Sequence, residues 1–222
     1  FNFKLPEKKT VVIKNAIEKI DLIKKPKDKI NLIYHTTPWR GLTLLLKIFK
    51  NLKLKNVELN VCSSTIIYGK KFDSILGKKF ENVFKECKET ENINYLGYLE
   101  NKKIIELLKK MHIFSYPSIW PETSCIAAIE SMASGCEVVT TDLGALPETC
   151  SSFGTFVNFD KDFGNLEKKF TETLVKSIKN FWSDENQKKL LSQSNKINST
   201  YSWKVRSAEW IKFLDEARKK KN

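Results

Sequence analysis

Two acidic residues, Glu122 and Glu130, frame the stretch of this sequence with the most potential for chemistry. The segment Tyr116-Pro117-Ser118-Ile119-Trp120-Pro121-Glu122-Thr123-Ser124-Cys125 is a proline-bounded loop between an apolar run and a helical pattern that carries Glu130. A helix opening near Ser124, capped by Ser124 or Thr123, leaves the amides of Ser124, Cys125 and Ile126 without intrahelical acceptors, at the positive end of its dipole. Those amides suit a phosphate. Glu130 falls about two turns into the helix, on roughly the same side as its start. Carboxylates accept hydrogen bonds from vicinal hydroxyls. One carboxylate at the mouth and one deeper suit a ligand with a phosphate between two hydroxylated parts. The competing reading makes Glu122 a first-turn acid that stabilises its own helix and Glu130 a solvated position.

A second loop, Tyr34-His35-Thr36-Thr37-Pro38-Trp39-Arg40-Gly41-Leu42, carries the only arginine of the first 200 residues. In a chain that otherwise uses lysine, a guanidinium fork at a strand-to-helix turn suits a diphosphate; a carbonyl-capping Arg40 is the alternative. A third loop, Thr141-Asp142-Leu143-Gly144-Ala145-Leu146-Pro147-Glu148, holds Gly144, which permits a tight turn near a ligand. Gly97-Tyr98-Leu99 offers backbone groups and a ring to a base, or is a plain turn with a core tyrosine. His35 and His112 read as packed residues, and two isolated histidines make no metal site. Ser64 and Thr65 have no histidine partner at any motif spacing. No G-x-S-x-G, H-E-x-x-H or P-loop pattern occurs.

The elements that must position these loops alternate. Apolar runs at Ile30 to His35, Val57 to Cys62, Ile93 to Tyr98, Ile113 to Tyr116, Val138 to Thr141 and Phe156 to Phe159 read as strands. Helical spacing fills the gaps: Gly41 to Leu54, Phe72 to Lys88, Asn101 to Met111 with Asn101 as N-cap, and Ser124 to Ser134. Val11-Val12-Ile13 reads as a further short strand. Such alternation predicts an α/β class with a doubly wound parallel sheet, Rossmann-like, whose ligands sit beyond the carboxyl ends of the strands. The expected organisation is a connector over residues 1–29, a ligand-binding α/β domain over 30–164, and C-terminal helices over 165–222 packing on it.

Composition narrows the function classes. The chain has 222 residues and a net charge of +13, from 36 lysines and 3 arginines against 26 acids. Sequence-specific nucleic-acid readers favour arginine, so a solvated lysine surface is the better reading and nucleic acid is not an expected partner. The charge is uneven, at +12 over residues 1–111 and +1 over the remainder. From Met111 to Asp160, fifty residues contain no lysine or arginine while keeping Glu122, Glu130, Glu137, Asp142, Glu148 and Asp160. A chain that excludes lysine there buries the segment or uses it. Five scattered cysteines without a C-x-x-C pair indicate neither a disulfide framework nor a zinc knuckle, and fit a reducing compartment. No run is long enough to span a membrane. A cytoplasmic location is expected, with peripheral membrane contact open to the lysine-rich surface.

Glu122, seven residues and Glu130 form the E-x7-E signature of retaining glycosyltransferases of the GT-B fold, and the segment resembles the GT4 family. The flanks agree: the stretch from Pro117-Ser118 through Glu130-Ser131-Met132-Ala133-Ser134-Gly135 to Gly144 and Glu148 is similar to that family's in order. Thr37-Pro38-Trp39-Arg40-Gly41-Leu42 resembles its phosphate-gripping turn, and Val12 to Ile17 the junction that opens its second domain. Tyr201-Ser202-Trp203 resembles the start of its last helix. The resemblance implies that Glu122 meets donor-sugar hydroxyls and that Ser124, Cys125 and Ile126 hold the diphosphate. It likewise implies that Glu130 binds the ribose, Arg40 neutralises the leaving group beside Thr37, and Tyr98 frames the base. The implied ligand is a UDP-, GDP- or ADP-linked sugar, with no metal or other cofactor, and the acceptor is a glycan, lipid or protein. The implied acceptor-binding half would precede Phe1. The rival readings are a GT-B epimerase or phosphorylase, a non-catalytic basic module on nucleic acid or anionic membrane, and a degenerate transferase domain kept for assembly.

Overall fold

A computed structural model describes residues 10–52 and 54–219. Residues 1–9 of the expected connector and 220–222 of the tail lie outside the described residues. Six strands form one parallel sheet: β1 (Ile30–Tyr34), β2 (Val57–Val61), β3 (Ile93–Tyr95), β4 (Ile113–Tyr116), β5 (Glu137–Thr141) and β6 (Thr155–Val157). Their spatial order is β3-β2-β1-β4-β5-β6, the doubly wound arrangement expected from the alternation. β1, β4 and β5 are buried along their whole length, which fits their mainly apolar character, with Asn31, Ser115 and Glu137 among the buried polar exceptions. Val61, Tyr34 and Phe114 mark the registers, with Tyr34 opposite Val61 and Ile33 opposite Phe114.

The crossovers are helical: α1 (Leu42–Asn51), α2 (Lys70–Glu89), α3 (Asn101–Leu108), α4 (Ile126–Ala133) and the short α5 (Leu146–Cys150). Three helices follow, α6 (Phe163–Asn180), α7 (Asp184–Thr200) and α8 (Trp203–Lys219). α6 and α7 begin on side-chain caps, Asp162 and Ser183. α6 lies on α1 and the β5–β6 edge, and α7 on α4. Buried Glu137 ties these layers, accepting from Thr155 Oγ1 at 2.9 Å, Ser177 Oγ at 2.7 Å and Asn186 Nδ2 at 3.5 Å. α8 departs from the expectation that all the C-terminal helices lie on the domain. Only Arg206 of it is buried, while Trp210, Ile211 and Leu214 face outward.

Several expected boundaries shift. Val11 and Val12 form no strand. They are 58% and 84% exposed and pair with neither edge strand of the sheet, and the bridge of this region among the described residues joins Ile17 to Ser202. α4 begins at Ile126 rather than Ser124, with Cys125 as N-cap, so neither Ser124 nor Thr123 caps it. α3 is preceded by Glu100 as N-cap, which frees the Asn101 side chain for another partner. The stretch without lysine or arginine is buried in part: residues 111–118 and 128–141 have almost no exposed surface.

The connector is fastened to the domain rather than loose. The Lys25 ammonium reaches the carbonyls of Leu108, Lys109 and Met111 at the end of α3 and of Ser134 at the end of α4. A cation there satisfies terminal carbonyls and meets the negative ends of two helix dipoles. Burial lowers its pKa, with Cys136 opposing the shift. All five cysteines are buried and free. No described helix is long and apolar enough to cross a membrane.

Candidate functional site

β1 lies between β2 and β4, so the chain's crossovers run in opposite directions from that point, and the loops after β1 and β4 diverge to open a crevice. A cavity of about 270 Å³ occupies it. Its wall takes Thr36, Thr37 and Arg40 from the β1 loop and Ser124, Cys125, Ile126 and Ala127 from the start of α4. Cys62, Ser64 and Tyr68 come from beyond β2, and Gly97, Tyr98 and Leu99 from beyond β3. Thr37, Arg40, Tyr98, Ser124, Cys125 and Ile126 are therefore brought together as the sequence suggests, whereas Glu122, Glu130 and Gly144 do not line the cavity.

Close backbone approach holds the two principal loops together. Gly41 has φ +133°, and a Cβ there would stand 2.2 Å from the Pro117 carbonyl oxygen. Ile119 N donates to Arg40 O at 3.2 Å, and Tyr34 Oη donates to Thr37 O at 2.8 Å. The 3-10 turn Pro38–Arg40 thus sets Arg40 against the β4 loop. Its Nη1 donates to Glu122 Oε1 at 2.7 Å, and Tyr116 Oη donates to the same oxygen at 2.6 Å. The Glu122 side chain is only 4% exposed and that of Arg40 25%. The Trp120 ring centroid lies 5.9 Å from the guanidinium carbon, within cation–π range.

Glu130 is also buried, and burial raises its carboxyl pKa while the Asn101 side chain opposes the shift. Asn101 Nδ2 donates to Glu130 Oε1 at 2.8 Å, tying the start of α3 to the middle of α4. Gly144, at φ +66°, has its turn set by protein rather than by open space: a Cβ there would stand 2.5 Å from both N and O of Glu122. Ser124 Oγ accepts from Asn15 Nδ2 at 3.0 Å, so the connector reaches the start of α4. Burial pushes the Cys125 thiol up to about 12, so it stays a neutral thiol at the head of that helix. His35 lines the cavity, shares a 2.9 Å hydrogen bond with Ser131 Oγ and packs on Phe114. Burial lowers its pKa to about 4 and keeps it neutral.

Asn15, Tyr116, Asn101 and Thr36 carry parts of this arrangement that the sequence does not mark. Tyr116 reads as a strand residue and Asn101 as a helix cap, and nothing local shows that each ends on a buried carboxylate. Three buried polar atoms on residues of the cavity wall, Arg40 Nε, Thr36 Oγ1 and Thr37 Oγ1, have no hydrogen-bond partner. Ser63 Oγ, next to the wall residues Cys62 and Ser64, is in the same condition. Buried polar groups are satisfied in most proteins, so these atoms set the β1 loop apart from the rest of the cavity wall. Among the described residues no group of three or more His, Cys, Asp or Glu is arranged to hold a metal ion.

Sheet order and crevice define a Rossmann-like domain with a cavity at its switch point. Over residues 13–197 the chain matches the family described as Glycosyl transferases group 1, and it belongs to that family, as a GT-B-type domain. A Klebsiella pneumoniae protein described as an uncharacterized 41.2 kDa protein in the cps region is 25% identical over 211 residues, covering 88% of this chain and 53% of that protein. A human protein, one of the subunits of phosphatidylinositol N-acetylglucosaminyltransferase, is 30% identical over 142 residues, covering 62% of this chain and 28% of that protein. The chain therefore spans about half of the first relative's length and less of the second's. The crystal structure of a glycosyltransferase from Rickettsia africae shares the fold, with a TM-score of 0.73 at 19% identity, covering 97% of this chain and 59% of that one.

Proposed function

We propose that this chain is the donor-binding domain of a retaining, GT4-type glycosyltransferase that takes its sugar from a nucleoside-diphosphate sugar. The observation that carries the reading is the cavity wall itself, which brings Thr36, Thr37 and Arg40 of the β1 loop together with Ser124, Cys125 and Ile126 at the start of α4. A cation, hydroxyl donors and a helix start together suit a diphosphate better than they suit a neutral metabolite.

In this reading the α4 amides at Ser124, Cys125 and Ile126 hold the diphosphate, beside the Thr37 hydroxyl. Arg40 offsets the negative charge that grows on the diphosphate as the glycosidic bond breaks, the main electrostatic task of such a reaction. Tyr98, more than half exposed at the cavity wall, frames the base. Glu130 would take the ribose hydroxyls and Glu122 the sugar hydroxyls, which requires both carboxylates, now behind the cavity wall and held by Asn101 and by Arg40 and Tyr116, to exchange those partners for the ligand. No metal is required, because arginine and helix amides carry the charge. The acceptor, a glycan, lipid or protein, would be bound by a further domain joined through the connector. The name of the human relative makes a nucleotide-linked N-acetylglucosamine a sensible first donor to try.

Calorimetry of the 222-residue chain with UDP, GDP, ADP and their sugar conjugates tests the reading. One base is expected to bind with a favourable enthalpy. Absence of binding by every nucleotide and every nucleotide sugar would overturn it.

A further inference from the structure

The turn that leads into α2 carries an apolar tip that the domain leaves uncovered. Ile66, Ile67 and Tyr68 form a 3-10 turn, and they are 40%, 59% and 54% exposed. Ile75, in the second turn of α2, is 68% exposed. Phe72, Leu76, Phe80 and Cys87 recur at helical spacing along the inner side of α2, and Ile75 falls outside that stripe. Residues three and four positions apart are neighbours on a helix surface, so Lys71, Lys78 and Lys79 frame Ile75. Lys70 stands between the turn and this group, and all four lysines are exposed.

The tip is held in place. The turn packs against α2, with the Tyr68 ring 5.0 Å from Phe72 and 5.9 Å from Trp39, which itself lies 5.9 Å from Phe80. Asp73 is the one acid between Ser63 and Phe80, and it already accepts from Thr65 Oγ1. Among the described residues, none of Lys70, Lys71, Lys78 and Lys79 forms an ion pair, whereas Lys50, Lys85 and Lys109 each meet a glutamate. Four unneutralised ammonium groups thus surround uncovered aliphatic side chains.

We propose that this tip is a docking surface for an anionic lipid bilayer. Ile66, Ile67 and Ile75 enter the boundary between headgroups and acyl chains, Tyr68 sits at headgroup level, and the lysines meet anionic headgroups. Apolar surface rimmed by polar residues marks partner or membrane contacts, and the uncompensated positive charge selects an anionic bilayer. A nucleic acid would want aromatic platforms and arginine forks, where this surface presents isoleucines and lysines. Ile67 and Tyr68 also line the switch-point cavity, so docking brings that edge of the cavity to the headgroups. The docking needs no occupant in the cavity.

Flotation of the 222-residue chain with vesicles tests the surface. The vesicles are phosphatidylcholine alone, or phosphatidylcholine with about 30% phosphatidylserine. The chain is expected to float with the anionic vesicles and to stay behind with the neutral ones. Ile66→Ser with Ile75→Ser, and separately Lys78→Gln with Lys79→Gln, are each expected to weaken partition about fivefold or more, with folding checked by thermal melting. Lys168→Gln with Lys176→Gln, an equal charge loss at exposed positions of α6, is expected to weaken it less than about twofold. If the α6 pair matters as much as the α2 pair, or the isoleucine variant partitions like wild type, the attraction is diffuse and the proposal falls. It falls too if wild type binds no vesicles, binds both kinds equally, or binds DNA through the same lysines in place of vesicles. Should the isoleucine pair fail to fold, Ile75→Ser alone decides that comparison.

Discussion

Gly144 lies so close to Glu122 that a Cβ on it would stand 2.5 Å from both the nitrogen and the carbonyl oxygen of that residue. The glycine, with φ +66°, closes a bridge between the loops after β4 and β5. It thereby positions the carboxylate without touching the cavity. Gly144→Ala is expected to cost about 1–3 kcal/mol of folding stability, from strain at a left-handed backbone and displacement of the Glu122 loop. Urea unfolding checks the stability. Calorimetry checks the second consequence, a loss of nucleotide-sugar affinity larger than the loss for the bare diphosphate. Equal stability to wild type would show that the loop yields freely.

Arg40→Ala is expected to weaken nucleoside-diphosphate binding by about 2 kcal/mol or more, the usual consequence of losing a charge-assisted pair to phosphate. Arg40→Lys keeps charge but not the fork, and is expected to recover only part of that loss. An unchanged dissociation constant for Arg40→Ala, read by the same titration, would remove Arg40 from the site.

Glu137 is a structural carboxylate well away from the cavity. Its three side-chain donors come from β6, α6 and α7, so one residue joins four elements. Glu137→Ala is expected to lower the unfolding free energy by about 1–3 kcal/mol, because the buried Ser177 hydroxyl and two part-buried donors lose their acceptor. Glu137→Gln, which retains an acceptor oxygen, is expected to cost about half as much. Denaturant midpoints at constant slope distinguish the two.

The two histidines predict an acid-sensitive fold. Burial lowers His112 to about 4, opposed by its hydrogen bond to the Pro26 carbonyl, and lowers His35 to about 4, opposed by the Ala127 carbonyl. His112 Nδ1 accepts from Asn31 N at 2.9 Å and Nε2 faces Pro26 O at 2.9 Å, a neutral-imidazole arrangement with the proton on Nε2. The unfolded chain takes up protons near the ordinary value of 6.5, where the folded chain does not. This source of stability is fully present above that value and is lost as pH falls from there through about 4. Urea midpoints are expected to fall between about pH 7 and about pH 5, and His112→Gln to show a shallower slope over that window. A wild-type profile that stays flat there would refute the assignment.

Much of the architecture was legible because its signals are local. The mainly apolar runs of β1, β4 and β5 announced strands, and the spacing of Leu42, Leu45, Leu46 and Phe49 announced α1. Their alternation implied parallel crossovers, and that implied which loops to search. The lysine-free stretch read as a segment either buried or used, and the structure buries residues 111–118 and 128–141 of it. Val11-Val12-Ile13 shows the limit: its residue types match those of a true strand, but pairing needs a neighbouring edge, which no local pattern reports.

The sequence by itself determined the parallel α/β class, the loops that line the cavity and the residue types placed in them, because hydrophobic periodicity and turn chemistry act over a few neighbouring residues. Only the tertiary structure decided the partners. Arg40 meets Glu122 across 82 positions and Asn15 meets Ser124 across 109. Asn101 turned from an expected cap into a partner of Glu130, and Gly144 from a ligand-side turn into a rest for the Glu122 backbone. Which buried carboxylate finds which donor depends on strand order and on the close approach of loops after β1, β4 and β5. Those are set by packing of the whole sheet, so side-chain spacing along the chain carries no record of them.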